Sequence, residues 1–295
     1  MTPLQALIKL PQHRWRTTVD GSTMPSQQYS SVRRLATRIR LNATRMVAIQ
    51  GFGYLGQALS SAEIFATLFG GGVLRFGHDR FVLSPGHYVI ALYAVAAELG
   101  LLDPAELASY GRDGARLEAI GSERTPLVDL VCGSLGQGLS AAIGFALASQ
   151  LAGEQRDTFV FLSDGEMEEG QVWEAAMFAS HQRRRMGRLL AIIDANNSQV
   201  DGPVSSVTTL EPLADKWRAF GWQVLEVDGH DVVALDQALK RRGEGAPLAL
   251  IARTSCLGRL RCLPGTLDAH FLKLDEPLRA ALERELTREL EGADA

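Results

Sequence analysis

The fold is decided by two stretches of this sequence, Thr158-Phe-Val-Phe-Leu-Ser-Asp-Gly165 and Arg188-Leu-Leu-Ala-Ile-Ile-Asp-Ala-Asn-Asn197. Each begins as a short apolar run rich in β-branched or aromatic residues and ends in polar residues. The amphipathic segment Gly170 to Gln182 lies between them. A strand, a helix and a strand in this order predict two parallel strands that lie side by side.

Polar side chains follow both predicted strands, at the point where each strand ends. Asp164-Gly165 follows the first strand and Asn196-Asn197 the second. Ligands of such sheets bind outside the carboxyl ends of the strands. Mg²⁺ usually takes one or two protein oxygens and completes its octahedron with phosphate oxygens and water. The pair therefore predicts a diphosphate held through a divalent cation, although such dipeptides also mark ordinary turns.

The spacing of this pair, 196 − 164 = 32 residues, resembles the thiamine-diphosphate motif Gly-Asp-Gly followed by Asn-Asn, with Ser163 in place of the first Gly. The segment Ser163 to Ala179 is similar to the transketolase version of that motif. Further similar stretches are 79–87, 133–140, 193–202, 210–222 and 226–231. The chain is identified as a member of the transketolase family over roughly residues 30 to 275.

The predicted architecture is an α/β fold, a doubly wound parallel sheet with helices on both faces, and it agrees with the thiamine-diphosphate-binding fold of the family. Strands are predicted at 158–163, 188–194, 222–227 and 248–253, and helices at 30–50, 62–69, 88–99 and 136–151. We divide the chain into an irregular arm (1–27), a thiamine-diphosphate-binding domain (28–275) and a charged helical tail (276–295).

The resemblance implies thiamine diphosphate and Mg²⁺ (or Ca²⁺) as cofactors. Asp164 and Asn196 are the expected side-chain ligands of the cation, and Ser198 is expected to add its backbone carbonyl. Further cofactor contacts are expected from the helix start after the aspartate and from a glycine-rich loop. These residues are Gly165, Glu166, Gly133, Ser134 and Leu135.

Three residues are expected to take part in catalysis. Glu169 aligns with the family carboxylate that bonds across the subunit interface to the activating Glu, an arrangement in which two carboxylates share a proton. His87 is expected near the diphosphate and the reacting carbon, and both it and Glu169 count among the cofactor contacts. His270 is expected in the same site, although its neighbours depart from the family's Trp-His-Gly. The alternatives are a helix-start Glu and histidines without a ligand.

Two departures from the family bear on the substrate. Tyr54 and Ser122 stand where transketolases have two histidines that contact the hydroxyls of the donor sugar. A phenol and a hydroxymethyl group replace two near-neutral acid–base groups. Thiamine activation is expected to survive, whereas ordinary aldose-phosphate acceptors are expected to react slowly.

The resemblance covers only the amino-terminal half of a transketolase, so the chain resembles the diphosphate-binding subunit of a split enzyme. The implied partner is a C-terminal, pyrimidine-binding subunit in an α2β2 heterotetramer. The predicted reaction transfers a two-carbon ketol unit from a small-molecule ketose (phosphate) donor to an acceptor. One alternative passes an acyl-level two-carbon unit to a lipoyl or carrier protein, as 2-oxo-acid dehydrogenases do. Another is a cofactor-free scaffold subunit.

The composition bears on the binding partners and the cellular location of the protein. The net charge of −4 favours neither nucleic acid nor an anionic membrane as a partner. Three cysteines without a Cys-x-x-Cys pair predict a reduced, cytoplasmic protein without a disulfide framework.

Overall fold

The computed structural model describes residues 24–241 and 245–292. In chain order the elements are α1 (Ser26–Gln50), β1 (Phe52–Gly53), α2 (Leu55–Phe65), β2 (Arg80–Leu83), α3 (Val89–Glu98), β3 (Leu130–Val131), α4 (Gly138–Leu151), β4 (Thr158–Ser163), α5 (Gly170–Gln182), β5 (Leu189–Ala195), α6 (Val204–Val207), α7 (Leu213–Ala219), β6 (Gln223–Asp228), α8 (Val232–Lys240), β7 (Leu248–Arg253), β8 (Leu272–Lys273) and α9 (Glu276–Gly292). Short 3-10 turns at Gly86–Tyr88, Pro104–Ser109 and Gly165–Glu168 and a π-helical segment at Ala66–Gly70 complete the list.

The centre of the molecule is a six-stranded sheet with the order β3-β2-β4-β5-β7-β6. Every neighbouring pair in it is parallel, and the register places Ser163 opposite Asp194. Strands β1 and β8 form a separate antiparallel pair. The predicted doubly wound α/β fold is therefore confirmed, and β4, α5 and β5 form the strand–helix–strand unit that the sequence indicates.

Alternating side chains of the central strands enter two apolar cores, one on each face of the sheet. In β4, Phe159 and Phe161 enter the core shared with α1, α2, α3, α8 and α9. Val160 and Leu162 enter the core shared with α4, α5 and α7. All four side chains are fully buried, as continuous apolar strands between two helical layers require.

The order of the strands creates a crevice beside β2 and β4. The chain leaves β2 through α3 toward β3 on one side, and it leaves β4 through α5 toward β5 on the other. Helices α3 and α5 pack on opposite faces of the sheet, as right-handed crossovers in opposite directions require. Such a switch point is where ligands of open α/β sheets bind.

Several elements differ from the sequence-based expectations. The predicted helix at 62–69 begins earlier, at Leu55, and ends in the π-helical segment. The arm at 1–27 lies outside the described residues up to residue 23, and Ser26 and Gln27 already belong to α1. The predicted tail is α9, which packs on α1 and fully buries Leu282 and Leu286. Within the described ranges, every helix is too short or too polar to cross a lipid bilayer.

Candidate functional site

Asp164 and Asn196 meet at the carboxyl ends of β4 and β5, because these two strands are neighbours in register. The Asp164 carboxylate is 5% exposed, and it accepts hydrogen bonds from the backbone amides of Gly165 (2.9 Å) and Asn197 (2.5 Å). Asn197 has a φ of 58°, a left-handed conformation that Asn tolerates better than most residues. The second Asn of the Asn-Asn pair therefore turns its amide toward Asp164.

The Asn196 side chain is held in one orientation. Its Nδ2 donates to the Asp194 carboxylate at 2.9 Å and to the Tyr88 hydroxyl at 3.0 Å. Its Oδ1 accepts from the backbone amide of Ser198 at 2.9 Å. Because the amide nitrogen faces two oxygens, Oδ1 is directed away from Asp194 and toward the backbone amide of Ser198.

Asp194 is the fully buried centre of this arrangement. Besides the Asn196 amide, its carboxylate accepts hydrogen bonds from Ser60 (2.6 Å), Tyr88 (2.8 Å) and the Thr254 hydroxyl. Burial raises the pKa of Asp194, although these hydrogen bonds oppose the rise. Sequence analysis named Asn196 but missed Asp194 and its other partners, Ser60, Tyr88 and Thr254; the available signal for Asp194 was a charged residue at the end of an otherwise apolar strand.

Asp164 is a buried carboxylate that lies near a second buried carboxylate, Asp194. Burial, and next the charge of Asp194, raise the pKa of Asp164 to about 7. Its hydrogen-bond donors in the described part of the chain are backbone amides, which carry no charge to balance that of the carboxylate. A cation beside it would favour the ionised form. No group of three His, Cys, Asp or Glu side chains within the described ranges could hold a metal, so amide and carbonyl oxygens would have to complete such a site.

Ser198 lies between the predicted cation ligands and His270. Its backbone amide donates to Oδ1 of Asn196 at 2.9 Å, its hydroxyl lies close to the Cys256 thiol, and its backbone lies close to His270. Nδ1 of His270 lies 2.9 Å from Nε2 of Gln57, which can only donate, so the imidazole proton belongs on Nε2. His270 is 9% exposed, and burial lowers its pKa.

Four rings form an aromatic cluster at the opening of the crevice, namely Tyr54, His87, His270 and Phe271. The Tyr54 ring centroid lies 5.0 Å from those of His87 and Phe271 and 6.0 Å from that of His270, and the two imidazoles are 5.5 Å apart. Burial, and next the charge of His270, lower the pKa of His87 to about 3. His87 is therefore neutral at physiological pH. The structure thus brings three of the predicted site residues together.

Ser122 lies on the segment that runs alongside the loop after β2. The amide of Gly121 donates to the carbonyl of Gly86 at 3.0 Å, one residue before His87. The Ser122 hydroxyl is buried without a protein partner in the described part of the chain. A buried hydroxyl normally has a partner.

The loop Gly133, Ser134 and Leu135 follows β3 and adjoins the loop after β2. The amide of Cys132 donates to the carbonyl of Leu83 at 3.1 Å. Gly133 and Ser134 are exposed and Leu135 is half-buried. This loop is therefore accessible at the edge of the crevice.

Glu169 precedes α5 and is exposed. It stands at the amino-terminal cap position of that helix, but its side chain makes no capping hydrogen bond. The carboxylate is accessible beside Gly136, and its place at the helix start agrees both with the predicted contact to an activating Glu and with the alternative of a helix-start Glu.

The backbone after Asp164 differs from the expected helix start. Gly165 and Glu166 open a 3-10 turn that precedes α5, and the Gly165 amide is already bonded to Asp164. The Glu166 side chain is fully buried, a feature that sequence analysis did not predict. Burial raises the pKa of Glu166 to about 7.

Known proteins of similar sequence are transketolases or their subunits. The chain matches the family described as "Transketolase, thiamine diphosphate binding domain" over residues 31–287. It is 38% identical to the transketolase family protein y4mO of Sinorhizobium fredii, over 81% of this chain and 89% of that protein. It is also 38% identical to the 6-deoxy-6-sulfo-D-fructose transketolase subunit SqwG of Clostridium sp. strain MSTE9, over 90% of this chain and 99% of that subunit. Human transketolase is 34% identical over 77% of this chain and 37% of its own length.

Solved transketolases share the fold. The enzyme of Campylobacter jejuni superposes with a TM-score of 0.79 at 24% identity, over 90% of this chain and 43% of that chain. The enzyme of Leishmania mexicana gives a TM-score of 0.75 at 26% identity, over 90% of this chain and 46% of that chain. The chain thus spans less than half the length of these transketolases. On this evidence the chain belongs to the transketolase family, of which it contains the thiamine-diphosphate-binding domain.

Proposed function

We propose that this chain is the diphosphate-binding subunit of a two-component transketolase, which transfers a two-carbon ketol unit from a ketose donor to an acceptor. One observation carries the proposal: the chain spans 99% of the clostridial transketolase subunit but only 37% of human transketolase. The side chains of the crevice support it, because the Asp164 carboxylate, the Asn196 amide oxygen and two neutral imidazoles lie near the switch point of the sheet.

The crevice fits a diphosphate bound through Mg²⁺ or Ca²⁺. The Asp164 carboxylate would neutralise the cation, and Asn196 Oδ1 and the Ser198 carbonyl would add neutral oxygens. The observation behind this fit is the buried Asp164 carboxylate, whose hydrogen-bond donors are uncharged amides. When bound, thiamine diphosphate supplies an electron sink for C–C cleavage, and the protein supplies orientation and exclusion of water.

The protein groups around the reacting carbon act as neutral hydrogen-bonding groups. His87, with a pKa of about 3, carries no charge near neutral pH. His270 holds its proton on Nε2 because Gln57 donates to Nδ1, and this proton faces the Ser198 backbone, so a substrate oxygen would have to replace that partner. Tyr54 packs against both of these rings.

In this proposal the partner subunit supplies the Glu that activates the cofactor. Glu169 is exposed beside Gly136, where the activating Glu of a pyrimidine-binding subunit could share a proton with it. An α2β2 heterotetramer satisfies this pairing twice. The three cysteines are free thiols, which supports a reduced, cytoplasmic setting.

The test of the function is deuterium exchange at C2 of thiamine diphosphate. The chain alone should leave exchange at the rate of the free cofactor, and addition of the C-terminal subunit should accelerate it. Glu169→Gln should abolish most of the acceleration, whereas Glu168→Gln, one residue away and also exposed, should retain it. Fast exchange by the chain alone would show that no partner is needed.

Donor and acceptor are assigned with the assembled enzyme. Ketose phosphates and 6-deoxy-6-sulfo-D-fructose, the sugar named for the clostridial subunit, are tested as donors. Ribose 5-phosphate and a lipoyl or carrier domain are tested as acceptors. Because Tyr54 and Ser122 replace histidines, ribose 5-phosphate should react slowly. Rapid transfer that is unaffected by Tyr54→Phe or Ser122→Ala would show that neither residue carries specificity.

A further inference from the structure

The buried Glu166 side chain touches three loops at the carboxyl ends of adjacent strands. Its Oε1 accepts hydrogen bonds from the hydroxyl of Ser84 and from the amide of Gly136 (2.8 Å). Its Oε2 accepts from the amide of Ser163 at 3.1 Å. Ser84 follows β2, Gly136 lies in the loop after β3, and Ser163 ends β4. One carboxylate therefore joins the three strands that surround the switch point.

The connection continues through Ser84 into helix α4. The Ser84 hydroxyl accepts a hydrogen bond from the amide of Gly138, the first residue of α4, at 3.0 Å. Gly138 also packs tightly here, because a Cβ at this position would lie 2.7 Å from Cα of Ser84. Ser84 is itself fully buried. Glu166 thus fixes the distance between the loop that carries His87 and the loop that leads into α4.

Only a carboxylate satisfies this set of donors. Backbone N–H groups, which cannot reverse their direction, point at both oxygens of Glu166. A glutamine has one oxygen and one NH₂ group, so either orientation places two donors against each other. A buried carboxylate is costly to desolvate, and an unsatisfied buried donor is costly as well.

From this geometry we infer that Glu166 is a positioning residue, which holds the loops after β2, β3 and β4 in the arrangement that receives the diphosphate. These loops carry His87, the Gly133–Leu135 segment and Asp164. Glu166 does not touch the cofactor through its carboxylate, because its side chain is fully buried and its hydrogen bonds are made to the protein. This inference rests on the proposed function, since it assigns the loops to a diphosphate.

The experiment compares the wild-type chain with Glu166→Gln and with Glu168→Gln. Glu168 lies in the same 3-10 turn but is exposed, so its variant makes the same chemical change without the buried contacts. Hydrogen–deuterium exchange of peptides covering 84–90 and 133–140 reports the order of the loops in the full chain. Calorimetry of the assembled enzyme with thiamine diphosphate and Mg²⁺ reports affinity.

Glu166→Gln should accelerate exchange in both segments and weaken thiamine-diphosphate binding, each by about tenfold or more, as loss of a buried hydrogen bond predicts. Glu168→Gln should change neither. If Glu166→Gln does not fold, Ser84→Ala removes the hydroxyl that links Glu166 to Gly138 and should accelerate exchange at 133–140.

Unchanged exchange in Glu166→Gln overturns the inference, and so does faster exchange with unchanged affinity, because the order of the loops would then not matter to the cofactor. An equal effect of Glu168→Gln also overturns it. A wild-type assembly that binds no thiamine diphosphate refutes the proposed function instead. Because exchange is measured without the cofactor, the two failures can be told apart.

Discussion

The first turn of α2 lies in close contact with the loop that carries His270. Gly56, in the first turn of α2, donates its amide to the carbonyl of Ala269 at 3.0 Å. A Cβ at Gly56 would lie 2.8 Å from the carbonyl carbon of Ala269, whereas ordinary contacts begin at 3.4 Å. Bringing this carbon to 3.4 Å takes 3.4 − 2.8 = 0.6 Å, and the carbonyl oxygen of Ala269, which would lie closer to the added Cβ than the carbon does, must move further.

The displacement has two costs. Overpacking costs ~1–3 kcal/mol and a weakened hydrogen bond ~1 kcal/mol, so Gly56→Ala should lower the free energy of unfolding by about 2–4 kcal/mol. His270 follows Ala269 directly, so its ring should shift relative to His87. Misplacement on the order of 1 Å can reduce a rate by about 100-fold, so ketol transfer should fall by at least about tenfold.

Urea unfolding and the steady-state rate of the assembled enzyme measure the two effects. Gly144→Ala is the matched control, because a Cβ there meets nothing within 4 Å. In the middle of α4 it should stabilise the chain by about 0.5–1 kcal/mol. If the free energy of unfolding of Gly56→Ala lies within about 0.5 kcal/mol of the wild-type value and the rate of ketol transfer is unchanged, the close approach of α2 to the loop that carries His270 does not constrain the site.

Three further predictions concern stability. Asp194→Ala removes the acceptor of four side-chain donors and should lower the free energy of unfolding in urea by about 3–5 kcal/mol. Asp194→Asn keeps an oxygen for most of these donors and should lower it clearly less. Equal losses of stability in the two variants would contradict this account. Burial alone would raise the pKa of Glu63, but the neighbouring Arg40 and His230 lower it. Ionised Glu63 therefore stabilises the folded protein above the ordinary pKa of Glu, and this stabilisation is lost as the pH falls through the lower pKa of the folded state. The stability difference between the wild type and Glu63→Gln should therefore shrink below about pH 4.5, and a constant difference would disprove the linkage. Leu282→Ala in α9 should cost about 2–5 kcal/mol, and the exposed Leu151→Ala less than about 0.5 kcal/mol, so similar values in thermal unfolding would show that α9 does not belong to the core.

The sequence predicts the elements whose pattern is local. Helix α5 spans Gly170–Gln182, the predicted segment, and β4 spans Thr158–Ser163 as predicted. Both owe their bounds to a clear apolar pattern between glycine and polar residues. Strands β1, β3 and β8 have only two residues each, so no period can be detected in them, and their pairing depends on the surrounding fold.

The candidate site could be predicted only in part. Asp164 and Asn196 follow recognisable strands, so their neighbourhood follows from the topology. The donors to Asp194 come from positions 134, 106 and 60 residues away, and no local pattern links them. No local pattern links Glu166 to its partners either, because Ser84 and Gly136 come together only after β2, β3 and β4 have paired.

The network around Asp194 also bears on the thermodynamics of cofactor binding. Immobilising one flexible side chain on association costs about 0.5–1.5 kcal/mol in conformational entropy. Asn196 and Tyr88 are already held by Asp194 within the protein, before any ligand is present. The diphosphate therefore meets a preorganised surface and loses little of its binding free energy to ordering. The heat-capacity change of binding should accordingly be small, reflecting burial of the cofactor itself and not coupled folding of this chain.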